Sequence, residues 1–463
     1  MLANPNRNDP RATDRPRRSK RTALAFIGQL LHRRSIRKQL AKDTPANTLH
    51  TQPIAPHSLF FTLYTALYFI PLWLVGTSGY GEGMVSQTGS DANTLMNRIV
   101  GVYLAGTLSF LLGSWSTSKF AWLLGEKRPP ALTVTFIRVY HVDKILLTVL
   151  IIGFLISKIA LISAGVYSSY AFDSSMMETP VWTTSMFFSE SLAFASLIAL
   201  FSNLRHNVFA FVALTMLNGI NLLHGTRNFF VIAMTGALLY VYIRKRVSLV
   251  VMMLYSLGAF TIAIFLAYVV YLYRQHSAFT DFSILSVLSP LTFESVFSQI
   301  SLITVLGHPQ MFDNFGNVNH LIQDVFVFTS PRFLVGNKES LLWTTRFGDL
   351  SPLGAFNGLA MGLLYFGYLL PLAYFLLGLA AGILRRLARD SYGAALYVYF
   401  CCDFVYRVQR DGYVIPAKML INNIQILFIL GILHLWMRRR SLRRESRLIS
   451  SANPEQAGGA YST

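Results

Sequence analysis

Residues 352–384 read PLGAFNGLAMGLLYFGYLLPLAYFLLGLAAGIL, 33 residues without a single charge or histidine. About 20 apolar residues cross the hydrocarbon core of a bilayer, so this stretch predicts a transmembrane helix. It is longer than it needs to be. At 1.5 Å per residue it reaches roughly 48 Å against a core of ~30 Å. Either the helix tilts, or its Gly- and Asn-bearing start lies outside the membrane or re-enters it.

Runs of the same kind recur on both sides. They place spans near 58–77, 98–117, 145–166, 184–203, 207–224, 228–243, 247–273, 352–384, 391–406 and 413–437. The composition agrees: of 463 residues, 53% are hydrophobic and 13% charged, half the charge of an ordinary soluble domain. That excludes a soluble enzyme, a disordered chain and a collagen-like fibre. The expected fold is an all-α polytopic integral membrane protein of about ten transmembrane helices. Its parts are a basic tail (1–57), helices one to seven (58–273), a large loop carrying short helices (274–351), helices eight to ten (352–437) and a second basic tail (438–463).

The net charge of +19 follows this layout and does not indicate nucleic acid binding. With the amino terminus inside, the inner segments carry 30 Lys and Arg and the outer segments eight. The positive-inside rule therefore puts both termini in the cytoplasm. The two cysteines, Cys401 and Cys402, are adjacent within an apolar run and form neither a disulfide framework nor a metal knuckle.

The outer loop 274–351 is too long to be a simple connection. Ser289–Pro290 fits the start of a helix running through LTFESVFSQISLITVLG, with Phe293, Val296, Phe297, Ile300 and Ile303 on its apolar face. Asn317 is placed to cap a second helix, VNHLIQDVFVF, which Pro331 ends; PRFLVGNK beyond it is expected to be extended or turn-like. So apolar a loop is expected to lie on the outer membrane surface as a lid.

Cations on the outer face run against the topological bias. They are Arg227 in HGTRN, Arg332 and Lys338 in SPRFLVGNK, Arg346, and Arg407 and Arg410 in RVQRDG. An anionic ligand at the outer leaflet gives them a shared reason, because guanidinium forks match phosphate oxygens. Snorkelling, or pairing with Asp324, Asp349 or Asp411, is the simpler alternative. Glu294, His308, His320 and Asp324 lie in the same loop, and Glu294 or His320 suits a general base. Lys158, Glu190, Asp403, Lys418 and His434 lie within spans, the first four as two buried ion pairs or as site residues. Asn218, Asn221 and His224 form a polar strip leading to Arg227. The sequence holds no Asp-x-Asp, P-loop, GxGxxG, HExxH or GxSxG pattern, so no metal and no cofactor is expected.

Three stretches resemble the Wzy-type oligosaccharide repeat-unit polymerases, which include the O-antigen polymerases. GTRNFFVIAMTGALLYVYIRKR is similar to that family's Gly-x-Arg opening a helix that ends in cytoplasmic basic residues. SPRFLVGNK looks like the Pro-Arg…Lys element of its large periplasmic loop. SPLGAFNGLAMGLLYFGYLLPLAYFLLGLAAG resembles the glycine-rich helix after that loop. The resemblance covers residues 225–384. It implies a metal-independent glycosyltransferase of the bacterial inner membrane that joins undecaprenyl-diphosphate-linked repeat units at the periplasmic face. Arg227, Arg332, Lys338, Arg407 and Arg410 would bind diphosphate, and Glu294 or His320 would be the base. Membrane lipids, a chain-length regulator and a flippase are the partners it implies.

Three rivals stand beside this. An O-antigen ligase shares the donor, and NVNHLIQ resembles an Asn/His element of such enzymes. A membrane-bound O-acyltransferase is suggested by Asn221 and His224 in INLLHG. A lipid-linked glycan flippase would line a central path with charge and dispense with the loop arginines. If Arg227 holds the leaving diphosphate, folded Arg227→Ala loses about 10²–10³ in polymerisation rate, read as polymer formed per unit protein; full activity would remove the assignment.

Overall fold

Glycines on two helices, α2 (Ala92–Leu123) and α10 (Leu370–Leu387), make the most extensive helix–helix packing among the described residues. A Cβ on Gly113 would run into the backbone carbonyl of Phe375. One on Gly378 would meet the carbonyl of Phe110, and one on Gly382 the side chain of Thr117. Small residues at this spacing let two backbones approach closely, the main source of attraction between helices that share an apolar solvent. Phe61 of α1 (Pro56–Thr77) stacks on Phe110 with ring centroids 3.9 Å apart and closes the same layer.

The structure is a computed structural model that describes residues 55–77, 92–123, 141–164, 179–202, 206–224, 228–245, scattered positions within 251–269, and 298–330, 332–336, 338–350, 356–388 and 391–452. All of them belong to the unit Thr48–Thr463. Their regular structure is helical throughout. Further helices are α3 (His141–Ser163), α4 (Pro180–Leu200), α5 (Asn207–Asn218, extended by a 3₁₀ segment to His224) and α6 (Asn228–Lys245). In the outer-loop region lie α7 (Ser298–Gly307) and α8 (Val318–Thr329). Then come α9 (Gly358–Phe366), α11 (Ser391–Tyr399), a π turn (Phe400–Phe404), α12 (Val405–Asp411) and α13 (Val414–Ala452).

The outside of this bundle is apolar. On α2, Leu104, Leu108 and Leu112 are exposed; on α3 so are Ile145, Val149, Ile152, Ile156 and Ile159. These are helical stripes three and four residues apart, and a water-facing surface does not carry patches of that extent. Lipid is their solvent. Among the described residues, five helical stretches are long and apolar enough to cross a membrane: Thr94–Thr117, Lys144–Ser163, Pro180–Leu200, Gly358–Leu387 and Val414–Leu433.

The long run at 352–384 does not stay one straight helix. It breaks. Gly367 leaves the helical region with φ +55°, and α9 ends before α10 begins. The loop that precedes α8 fills the break: Tyr368 N–H donates to Asn314 O at 2.8 Å, and a Cβ on Gly367 would strike the carbonyls of Asp313 and Asn314. Asn357 caps α9 from the interior, its Oδ1 accepting from Leu359 N–H at 2.8 Å. Every residue from Gly358 to Tyr365 is buried.

The lid expectation also changes. In α7, Ser298, Gln299, Ser301, Leu302 and Val305 have no exposed surface. This part of the outer-loop region is interior, not a cover on the membrane surface. Its polar residues explain why. Gln299 donates to Tyr103 Oη at 2.6 Å and to Tyr68 O at 3.2 Å, and Ser301 Oγ accepts from Asn357 N–H at 3.0 Å. Asn357 Nδ2 completes the network on Tyr103 Oη at 3.2 Å. The cap at Asn317 is found as expected, with Oδ1 accepting from Asn319 N–H. PRFLVGNK, expected to be extended or turn-like, contains the short helical turn Arg332–Val335, followed by Gly336 at φ +70°.

Gly378→Leu should lower stability by about 1–3 kcal/mol or more, the usual cost of forcing bulk into a packed contact. Gly101→Leu, whose Cβ would meet nothing within 4 Å, should be neutral. Thermal unfolding of the two purified variants in detergent measures the difference.

Candidate functional site

Segment 405–418 gathers the stretches that sequence reading singled out. Arg410 Nη1 donates to Asn228 Oδ1 at 3.3 Å, so the start of α6 meets the end of α12. Gly358 lies against Val408, where a Cβ would strike the Val408 carbonyl. Tyr413 N–H points at Met361 Sδ at 3.3 Å, and Gly412 at φ +70° packs on the same side chain. Lys418 Nζ lies 4.5 Å from the centroid of the Phe328 ring, and Lys338 Nζ donates to Phe328 O at 3.0 Å. Lys338 and Lys418 thus straddle one aromatic residue near the carboxyl end of α8, where the helix dipole favours positive charge.

Asp324 organises the outer part. It is fully buried. Its Oδ1 accepts from Trp343 N–H at 2.6 Å; its Oδ2 accepts from Thr344 N–H at 3.1 Å and from Tyr365 Oη at 2.7 Å. The carboxylate therefore ties the 3₁₀ segment Trp343–Leu350 to both α8 and α9. His320, one turn earlier on α8, stacks on the Trp343 ring with centroids 4.6 Å apart. Its Nδ1 is buried with no hydrogen-bond partner among the described residues. Asp324 does not orient His320 directly. It fixes the indole on which the imidazole rests.

The expected site residues fall out as follows. Glu294 and Arg227 lie outside the described residues, as do Ser289, Pro290, Phe293, Val296, Phe297 and the amino-terminal tail. Arg332 starts the turn Arg332–Val335, and its side chain is outside the description. Arg346 is exposed and Arg410 half-buried. Arg407 is 4% exposed and ion-paired, Nε 2.6 Å from Asp403 Oδ1. Asp411, one of the three acids anticipated as cation partners, lies 3.7 Å from Arg410 Nε, whereas Arg407 takes Asp403 instead.

The buried pairs also differ from expectation. Lys158 Nζ donates to the amide oxygen of Asn221 at 2.5 Å, and Ser189 Oγ donates to the same oxygen at 3.2 Å. Asn218 Nδ2 donates to Ser189 O at 2.9 Å. The strip Asn218–Asn221 is thus interhelical bonding among α3, α4 and α5. Glu190 is bonded to the Tyr399 hydroxyl, which also reaches Asp403 Oδ2 at 2.9 Å. His308 precedes the 3₁₀ turn Pro309–Met311, the turn role its neighbouring proline implied.

Sequence reading missed Tyr399, Tyr103, Gln299 and Tyr365. Phenols and amides have no spacing signature. Asn357 was noticed only as a small polar residue opening a span, although Asn followed by Gly before an apolar run is an N-cap pattern. No group of three or more His, Cys, Asp or Glu among the described residues is placed to hold a metal. No family model, curated protein or solved structure matches this chain.

Asp324→Asn should undock segment 338–350. An amide offers one acceptor oxygen to three donors and turns N–H groups toward backbone N–H. Each lost bond to a charged acceptor is worth about 1.5–3 kcal/mol. Limited proteolysis should cut the variant within 338–350 faster than the parent; equal rates would contradict the anchoring role.

Proposed function

We propose that this protein polymerises undecaprenyl-diphosphate-linked oligosaccharide repeat units at the periplasmic face of a bacterial inner membrane. The observation that carries the reading is the meeting of Arg410 with Asn228, the residue beside Arg227. Arg227 precedes Asn228 in the sequence, and the resemblance assigns both Arg227 and Arg410 to an anion. Lys338 and Lys418 add positive charge on the α8 side of the same segment.

In this reading an acceptor hydroxyl attacks the anomeric carbon of a lipid-linked donor. A glycosidic C–O bond forms as the bond from that carbon to the diphosphate oxygen breaks. Undecaprenyl diphosphate leaves with the bonding electrons. Charge gathers on the leaving oxygens, so fixed cations stabilise the transition state more than the ground state. Arg227, Arg332, Lys338 and Arg410 bind the diphosphate in this reading. Arg407, committed to Asp403, holds α12 in place. Glu294 or His320 takes the acceptor proton. The lipid tails lie along the apolar stripes of the bundle.

A gel of the surface polysaccharide from a strain lacking the gene tests this. The expected pattern is a ladder collapsed to core plus one repeat unit. Loss of all polymer from lipid A–core, with lipid-linked polymer accumulating, would make the protein a ligase. An unchanged ladder would remove O-antigen as its product.

A further inference from the structure

Glu190 of α4, Tyr399 at the end of α11, Asp403 in the π turn and Arg407 of α12 form a buried group that the polymerase chemistry does not use. Glu190, Asp403 and Arg407 are 2%, 0% and 4% exposed. Two carboxylates face one guanidinium. The charged neighbours of Glu190 are Arg407 and Asp403 from the segment after α11 and Lys418 from α13; Asp411 acts on Asp403 from further along that segment.

Hydrogen atoms can be counted around the Tyr399 oxygen. It is within bonding reach of Glu190 Oε1 and of Asp403 Oδ2. A phenol donates one proton, so it serves one carboxylate. The second contact brings two oxygens together and needs a hydrogen of its own, which only a carboxyl group can supply. Asp403 already has the Arg407 guanidinium beside it, so the extra proton falls to Glu190.

A separate observation agrees. Glu190 Oε2 is buried and has no hydrogen-bond partner among the described residues. Leaving an ionised oxygen unpaired in an apolar interior is the most costly arrangement available to it. The carbonyl oxygen of a neutral acid tolerates the same place at far lower cost. Among these three residues the charges then cancel, with Glu190 neutral, Asp403 negative and Arg407 positive, and Lys418 is the further cation facing Glu190. The π turn, a local widening common at functional sites, carries Asp403 within it.

We propose that Glu190 is an intramembrane proton-binding site linked through Tyr399 to Asp403. The ligand is a proton. In the relay, Glu190 O–H gives its proton to the Tyr399 oxygen as Tyr399 O–H gives its own to Asp403. Glu190 becomes negative, Asp403 neutral, and total charge is unchanged. Arg407 favours the first state. Any displacement of its guanidinium from Asp403 favours the second. This proposal stands apart from the polymerase reading and survives its failure.

Infrared spectroscopy of the full-length protein in lipid nanodiscs at neutral pH tests it. The wild type should show the carbonyl stretch of a protonated carboxylic acid, and Glu190→Gln should remove it while keeping the melting temperature, because glutamine copies the neutral acid's shape. Tyr399→Phe should retain the band and move it to higher frequency, since the acid loses its acceptor. Absence of the band in wild type overturns the proposal, as does its survival in Glu190→Gln. An unmoved band in Tyr399→Phe overturns the relay, a result available even if Glu190→Gln does not fold.

Discussion

A peptide group inside a membrane protein has no water to turn to, so every backbone N–H and C=O must find a partner within the protein. The break at Phe366–Gly367 exposes this constraint. Stopping a helix in the interior frees donors and acceptors at α9's end and at α10's beginning. Asn357 takes the free N–H groups at the start of α9, and Asn314 takes the Tyr368 N–H at the break. Asn357 is itself held by Ser301 and Tyr103, and Tyr103 by Gln299. The interior position of α7 follows. It is buried because it carries the polar side chains that make the broken helix affordable.

The same logic places the charges. Cations near the candidate site have mixed partners: Arg410 has Asn228 and, 3.7 Å from its Nε, the Asp411 carboxylate, and Lys418 has the Phe328 ring. The nearby acid, Asp324, is spent on two backbone amides and a phenol. It holds the loop segment Trp343–Leu350 against the bundle without neutralising the lysines. Deeper in, Asp403 is matched to Arg407 four residues later. The two sets of charged residues are arranged differently, one spread over α8, α12 and α13 and one paired within the bundle. They share α12, which carries Arg407 on the inner side and ends beside Arg410.

The helices were legible because lipid demands length and uniform apolarity, which single sequences display openly. The described helices fall where the apolar runs are. What the sequence concealed was depth. α7 and α9 are as apolar as a span, yet α7 reads as surface and α9 as part of one long helix, since composition does not distinguish a lipid-facing helix from a protein-buried one. Gly367 gave no warning, because glycine is common in membrane helices and its positive φ is visible only in three dimensions. As candidates for the site, Arg410 and Lys338 stand out in the sequence because outward cations violate a topological rule. Tyr399 and Gln299 violate none. Arg407 obeyed the same signal as Arg410 and lies inside, because two residues three apart on a helix cannot be separated by span counting when one belongs to its buried end.

The central claim is that the place where Arg410 meets Asn228 binds a lipid diphosphate. Native mass spectrometry of the purified full-length protein with undecaprenyl diphosphate measures this directly, with undecaprenyl monophosphate for comparison. The account requires the diphosphate to bind more tightly than the monophosphate and Arg410→Ala to weaken it by about tenfold, or 1.4 kcal/mol. Equal affinity for the two lipids, or a folded Arg410→Ala that binds diphosphate as the parent does, would contradict it.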